Sequence, residues 1–102
     1  MYPWESATTG LEVCPEHVYG LHEIHINGDI ALAQRQYYFS TGDVKWLKHN
    51  GFDVIFQTAT FWASRVTYDV DRDCYVINDV MPPDEVILLK ITTNVLEWKF
   101  FT

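Results

Sequence analysis

Between Ile26 and Arg65 the apolar residues recur at spacings of three and four, and from Val66 the spacing drops to two. That change of period constrains the fold of this chain more than any other feature. Ile26, Ile30, Ala33 and Tyr37 stand at i, i+4, i+7 and i+11, which predicts a helix ending near Ser40 with that face turned inward. Ile55, Ala59, Trp62 and Val66 repeat the spacing and predict a second long helix from Phe52 to Arg65. Between the two, Thr41 is expected to cap a short helix carrying Val44 and Leu47, with Asn50-Gly51 as its left-handed stop. Two long amphipathic helices joined by a short one predict an antiparallel pair. Beyond them Val66, Tyr68 and Val70 alternate ahead of Asp71-Arg72-Asp73, the pattern of a small β-hairpin near residues 66–77. Residues 1–21, punctuated by Pro3, Gly10, Pro15 and Gly20, predict an extended loop without regular elements. The expected class is therefore mainly α.

The chain has 102 residues, 48% apolar and 16% aromatic, enough for one small globular domain with its own core. A net charge of −7 without any basic run repels a phosphate backbone, which argues against nucleic acid as a partner. No stretch approaches the ~18 apolar residues of a membrane helix. No basic segment followed by an apolar run marks a signal peptide, so the sequence leaves the compartment open with the cytoplasm slightly favoured, and no membrane partner is expected. Cys14 and Cys74 form no C-x-x-C pair and are expected to be half-buried thiols, with a single disulfide as the alternative.

Most familiar chemistries are excluded by spacing. Asp69, Asp71 and Asp73 begin like a calcium loop, but Cys74 stands where the sharp turn needs glycine and Val80 where a bidentate glutamate is needed. His22 and His25 flank Glu23 in the wrong order and spacing for a metalloprotease, so no metal and no cofactor are expected, and His25 reads as a hydrogen-bonded core or pocket residue. Tyr37, Tyr38, Trp46, Phe61 and Trp62 sit at helical spacings and read as core. Serine lacks the G-x-S-x-G context, and glycine is too sparse for a phosphate cradle. Two groupings survive. Trp4 beside Glu5 pairs an aromatic face with a hydrogen-bonding carboxylate, the physics of holding a sugar ring. Asp84-Glu85 closes "MPPDE", where a neighbouring anion and partial burial favour a protonated Glu85, although an acidic loop after prolines is also an ordinary surface feature.

The strings "YPWESATTGLEVCPEHVYGLHEIHINGDIALAQRQYY", "FWASRV" and "YVINDVMPPDE" closely resemble glycoside hydrolase family 65, over residues 2–85. The resemblance implies an (α/α)6 barrel and an inverting enzyme that cleaves α-linked glucose. It implies Glu85 as the general acid that protonates the departing glycosidic oxygen, and Trp4 and Glu5 as the holders of the sugar beyond the cleaved bond. Asn27 of "HING" falls near a further sugar-contacting position.

The likeness also sets limits. After Glu85 the family continues with Tyr-His, whereas this chain continues "VILLKITTNVLEWKFFT" and only Thr92-Thr93-Asn94-Val95 echoes the pattern. Residues 1–85 therefore read as part of a catalytic barrel, and residues 86–102 as a divergent or non-native tail. Inversion needs a second carboxylate ~6.5–9.5 Å from the acid. In the family that base comes from beyond the end of this chain, and a Trp-Asp substrate motif comes from before its start. The expectation is a fragment of an α-glucosidase, acting on glucosylgalactosylhydroxylysine or an α-linked glucose disaccharide and inactive alone. The alternatives are a sugar-binding or interaction module without chemistry, and a fragment of a disaccharide phosphorylase.

Overall fold

The computed structural model describes residues 1–83; Asp84, Glu85 and the tail 86–102 lie outside the described residues. The chain is mainly helical with one two-stranded antiparallel sheet. Its elements are α1 (His17–His22), α2 (Ile26–Thr41), α3 (Val44–Trp46), a π-helical turn (Leu47–Gly51), α4 (Phe52–Arg65), β1 (Thr67–Asp69) and β2 (Cys74–Val76).

The two long helices stand where the periodicity places them, but their joint is built differently from the expectation. Gly42, at φ 64°, is the left-handed stop of α2, and its N–H donates to the Tyr38 carbonyl at 2.8 Å. Asp43, not Thr41, caps α3: its Oδ1 accepts the Trp46 N–H at 2.9 Å. The Thr41 hydroxyl is engaged with its own helix, donating to the Tyr37 carbonyl at 2.9 Å. Gly51 ends nothing. It is helical, at φ −70°, and the chain runs through it into α4. A Cβ on Gly51 would lie 2.7 Å from the Trp46 ring, so glycine is there to let the indole lie on the backbone, not to reverse it.

In the first half of α2 the expected stripe does turn inward, with Ile26 and Ile30 half-buried, but Ala33 and Tyr37 further along are exposed. The row beside it is covered throughout: Asn27 is buried and Ala31, Gln34 and Tyr38 are half-buried, at the spacing i, i+4, i+7, i+11. Asn27 and Gln34 are polar, which is why apolar periodicity alone does not pick out this row. In α4, Ile55 and Trp62 face inward as expected, with Thr58 buried between them and Ala59 exposed. Gly28, at the start of α2, lies against Trp62 near the end of α4, and the Tyr37 ring packs 4.3 Å from that of Trp46 ahead of α4. The pair is therefore antiparallel.

Residues 1–21 are not wholly irregular. Their last five belong to the six-residue α1, too short for a periodic signal and interrupted by a glycine that reads as a breaker. Gly20 is buried because the Glu12 side chain crosses it; a Cβ there would meet Glu12 carbons at 2.9 Å. The hairpin pairs Thr67 with Val76, Tyr68 with Tyr75 and Asp69 with Cys74. Its turn is closed by Asp69 Oδ1, which accepts the N–H groups of Asp71 and Arg72 at 3.0 and 3.2 Å. The Tyr68 hydroxyl donates to Asp73, so the acidic trio serves a turn. Cys14 and Cys74 are half-buried thiols. The most deeply buried apolar residues are Ile24, between α1 and α2, and Val76 and Ile77 at the end of the hairpin. The deepest apolar burial is thus at the α1–α2 junction and at the end of β2.

Candidate functional site

The α1–α2 junction, residues 22–27, is the point at which distant parts of the chain are tied together. Its sequence, His-Glu-Ile-His-Ile-Asn, sends successive side chains to different neighbours. Asn27 is fully buried: its Oδ1 accepts the Tyr2 N–H at 2.8 Å and its Nδ2 donates to the Ile24 carbonyl at 2.8 Å. Those two bonds moor the segment that leads into Trp4. The Trp4 ring is half-buried and lies 5.1 Å from the His25 ring at 57°. On its other side His25 turns Nδ1 toward the buried Glu23 carboxylate, 3.7 Å away. His22 reaches in another direction: its Nδ1–H donates to the Asp79 carbonyl at 2.8 Å, and its own carbonyl accepts the Met81 N–H at 2.9 Å. Met81 is followed by Pro82 and Pro83 and then by the Asp84-Glu85 pair.

A second organiser is Glu12. Its carboxylate accepts the main-chain N–H groups of Trp4, Glu5 and Cys14, while the Glu5 carbonyl accepts from Val13 at 3.0 Å. The loop from Trp4 to Cys14 is thus wound around one side chain, leaving the Glu5 side chain exposed. The ionised carboxylate is the form these N–H groups favour, so Glu12 is held below the usual carboxylate range, the Cys14 N–H contributing most. A depressed carboxylate supports the loop above the ordinary Glu range and withdraws that support as pH falls through its lowered value. Acidification should therefore release the amide protons of Trp4, Glu5 and Cys14 in one step of an NMR titration. Glu12→Gln should abolish the step.

The junction thus brings together Trp4, Asn27 and the base of the loop bound for Glu85, while Glu85 itself, the expected acid, lies outside the described residues. Asn27 spends its amide on the fold. With Tyr2 it also lines an open cavity of about 180 Å3, bounded on the α4 side by Gln57, Thr58 and Phe61. Of the residues that the resemblance assigns to the sugar, Asn27 lines this cavity and Trp4 and Glu5 do not. Sequence reasoning gave Glu12, His22 and Glu23 no part in this arrangement, since a glutamate among loop residues and a histidine at a helix end carry no spacing signal. Among the described residues no group of three His, Cys, Asp or Glu side chains converges as metal ligands do, and no helix is long and apolar enough to cross a membrane.

Residues 1–98 match the glycosyl hydrolase family 65 central catalytic domain. The chain belongs to this family. Among curated members of family 65 it is similar to a protein-glucosylgalactosylhydroxylysine glucosidase of Dictyostelium discoideum, 55% identical over 86 residues, covering 83% of this chain and 12% of that protein. It is similar also to a kojibiose hydrolase of Flavobacterium johnsoniae, 46% identical over 86 residues, again 83% of this chain and 12% of the relative. A kojibiose phosphorylase of Caldanaerobacter subterraneus is 40% identical over 95 residues, 82% of this chain and 12% of that protein. The chain thus spans about an eighth of the length of these family 65 relatives.

Proposed function

We propose that this chain forms part of the catalytic (α/α)6 barrel of an inverting α-glucosidase, acting on glucosylgalactosylhydroxylysine or an α-linked glucose disaccharide. In this reading Glu85 is the general acid that protonates the leaving glycosidic oxygen. Trp4 offers its ring face, and Glu5 its exposed carboxylate, to the sugar beyond the cleaved bond. Asn27 holds the segment that leads into them, through the Tyr2 N–H. The observation that supports the reading best is the α1–α2 junction: one six-residue stretch tethers both the Trp4 segment and the loop bound for Glu85. A hydrolase is favoured over a phosphorylase because identity to the named glucosidase exceeds that to the named phosphorylase, 55% against 40%.

The opposing base belongs, in this reading, to a part of the barrel supplied by the rest of the relatives' length, so the 102-residue chain alone is inactive. The experiment pairs two samples. The isolated chain should release no glucose from kojibiose or glucosylgalactosylhydroxylysine. Residues 1–85, grafted in place of the matching stretch of the Dictyostelium relative, should give an active hydrolase. Turnover by the isolated chain that Glu85→Gln abolishes would overturn the incomplete site. A folded but inert graft would overturn the assignment of this stretch to glucosidase chemistry.

A further inference from the structure

We infer that Glu12 is a positioning residue for the sugar beyond the cleaved bond, acting through the main chain that presents Trp4 and Glu5. The inference rests on the sugar-holding role proposed for those two residues. Three N–H groups converge on one carboxylate: that of Trp4 donates to Oε2 at 2.5 Å, and those of Glu5 and Cys14 donate to Oε1 at 3.2 and 2.9 Å. The two peptide planes that flank Glu5 are thereby fixed, one by its N–H on Glu12 and the other by its carbonyl, which accepts the Val13 N–H at 3.0 Å. Those bonds set the direction in which the exposed Glu5 side chain leaves the backbone. Trp4 is held at both ends, its N–H on Glu12 and its ring beside that of His25, 5.1 Å between centroids.

The task suits a glutamate and its seat suits a glycine. An ionised carboxylate has two accepting oxygens and no donor, so it can take all three bonds. Glutamine in either orientation turns its NH2 group toward an N–H, and so gives up either Trp4 or both Glu5 and Cys14. Gly20 of α1 is buried beneath the side chain, and a Cβ there would lie 2.9 Å from both Cγ and Cδ of Glu12 and 3.3 Å from Oε1. A methyl group at Gly20 therefore displaces Glu12 from its three bonds, and the sugar feels that methyl only by way of Glu12.

The experiment uses the same graft with two substrates: kojibiose, whose second glucose fills the site beyond the cleaved bond, and α-glucosyl fluoride, which brings only a fluorine atom there. Glu12→Gln should raise KM for kojibiose about tenfold, the worth of one hydrogen bond to a charged group, and leave kcat and KM for the fluoride unchanged. Gly20→Ala should do the same, although alanine is the better helix former and would by itself favour α1. Combined with Glu12→Ala it should add nothing, because no side chain is left to displace. An unchanged KM for kojibiose in Glu12→Gln, equal losses on both substrates, or a Gly20→Ala effect that persists without Glu12 would overturn the positioning role. Trp4→Ala and Glu5→Ala in the same graft test the reading beneath it: if both spare KM for kojibiose, the sugar-holding assignment fails, whatever Glu12 does. If either raises it while Glu12→Gln does not, that assignment stands and only its dependence on Glu12 falls.

Discussion

Glu85→Gln in the grafted enzyme should lower kcat on kojibiose by about 10²–10⁴, the contribution of a positioned proton donor. An amide matches the carboxyl in size and has no proton to give, so KM should move little and the folded content should stay unchanged. The same substitution should leave α-glucosyl fluoride turnover nearly intact, because expulsion of fluoride needs no general acid. A pH profile sharpens the test. Activity requires the protonated acid, so the alkaline limb of kcat on kojibiose should disappear in the variant while any acid limb, set by the opposing base, persists. Retention of both limbs would take the acid role away from Glu85.

Asn27→Leu should destabilise the described fold by about 2–3 kcal/mol, because Leu fills the space while stranding a buried carbonyl and a main-chain N–H. Asn27 is the one side chain that bonds both partners, the Tyr2 N–H and the Ile24 carbonyl, and it is only 2% exposed. The measurement is the urea midpoint, together with hydrogen exchange at the Tyr2 amide. That amide should open with the substitution even where α4 stays protected, since its acceptor is the lost side chain. Asn27→Asp should fall between the two, as its carboxylate can still accept from Tyr2 but cannot donate to Ile24. In the grafted enzyme Asn27→Leu should raise KM, since the Trp4 segment is no longer moored. An unchanged midpoint for Asn27→Leu would show that the junction is held without this residue.

Both forecasts concern residues that family likeness singles out in the sequence. For Asn27 the structure adds what no likeness carries, the two bonds by which its amide joins Tyr2 to Ile24. Trp4 and Glu5 stand out as a ring beside a carboxylate, yet the main-chain N–H groups of both are held by Glu12, whose three hydrogen bonds wind the loop. Glu12 is eight residues from Trp4 and looks like any other surface acid. The joint between the long helices shows the same division. The sequence marks Gly51 as a left-handed stop, but in the structure that part falls to Gly42, with nothing over it, while a tryptophan ring lies over Gly51.

What the sequence settled by itself is local and periodic. The extents of α2 and α4, the hairpin with its Asp-rich turn and membership of the family follow from residue spacing and identity, because helix period, turn chemistry and motif strings are written in neighbouring residues. What the tertiary structure decided is which face of α2 goes inward, why Gly20 and Gly51 must lack a side chain, and how residues 22–27 tie the first residues of the chain to the loop beyond the hairpin. Those outcomes depend on partners brought close only by folding: Tyr2 on Asn27, Trp4 on His25, and Asp79 on His22 across 57 residues of chain. A buried polar residue is stable only where such a partner satisfies it, and no window of sequence contains both halves of the pair.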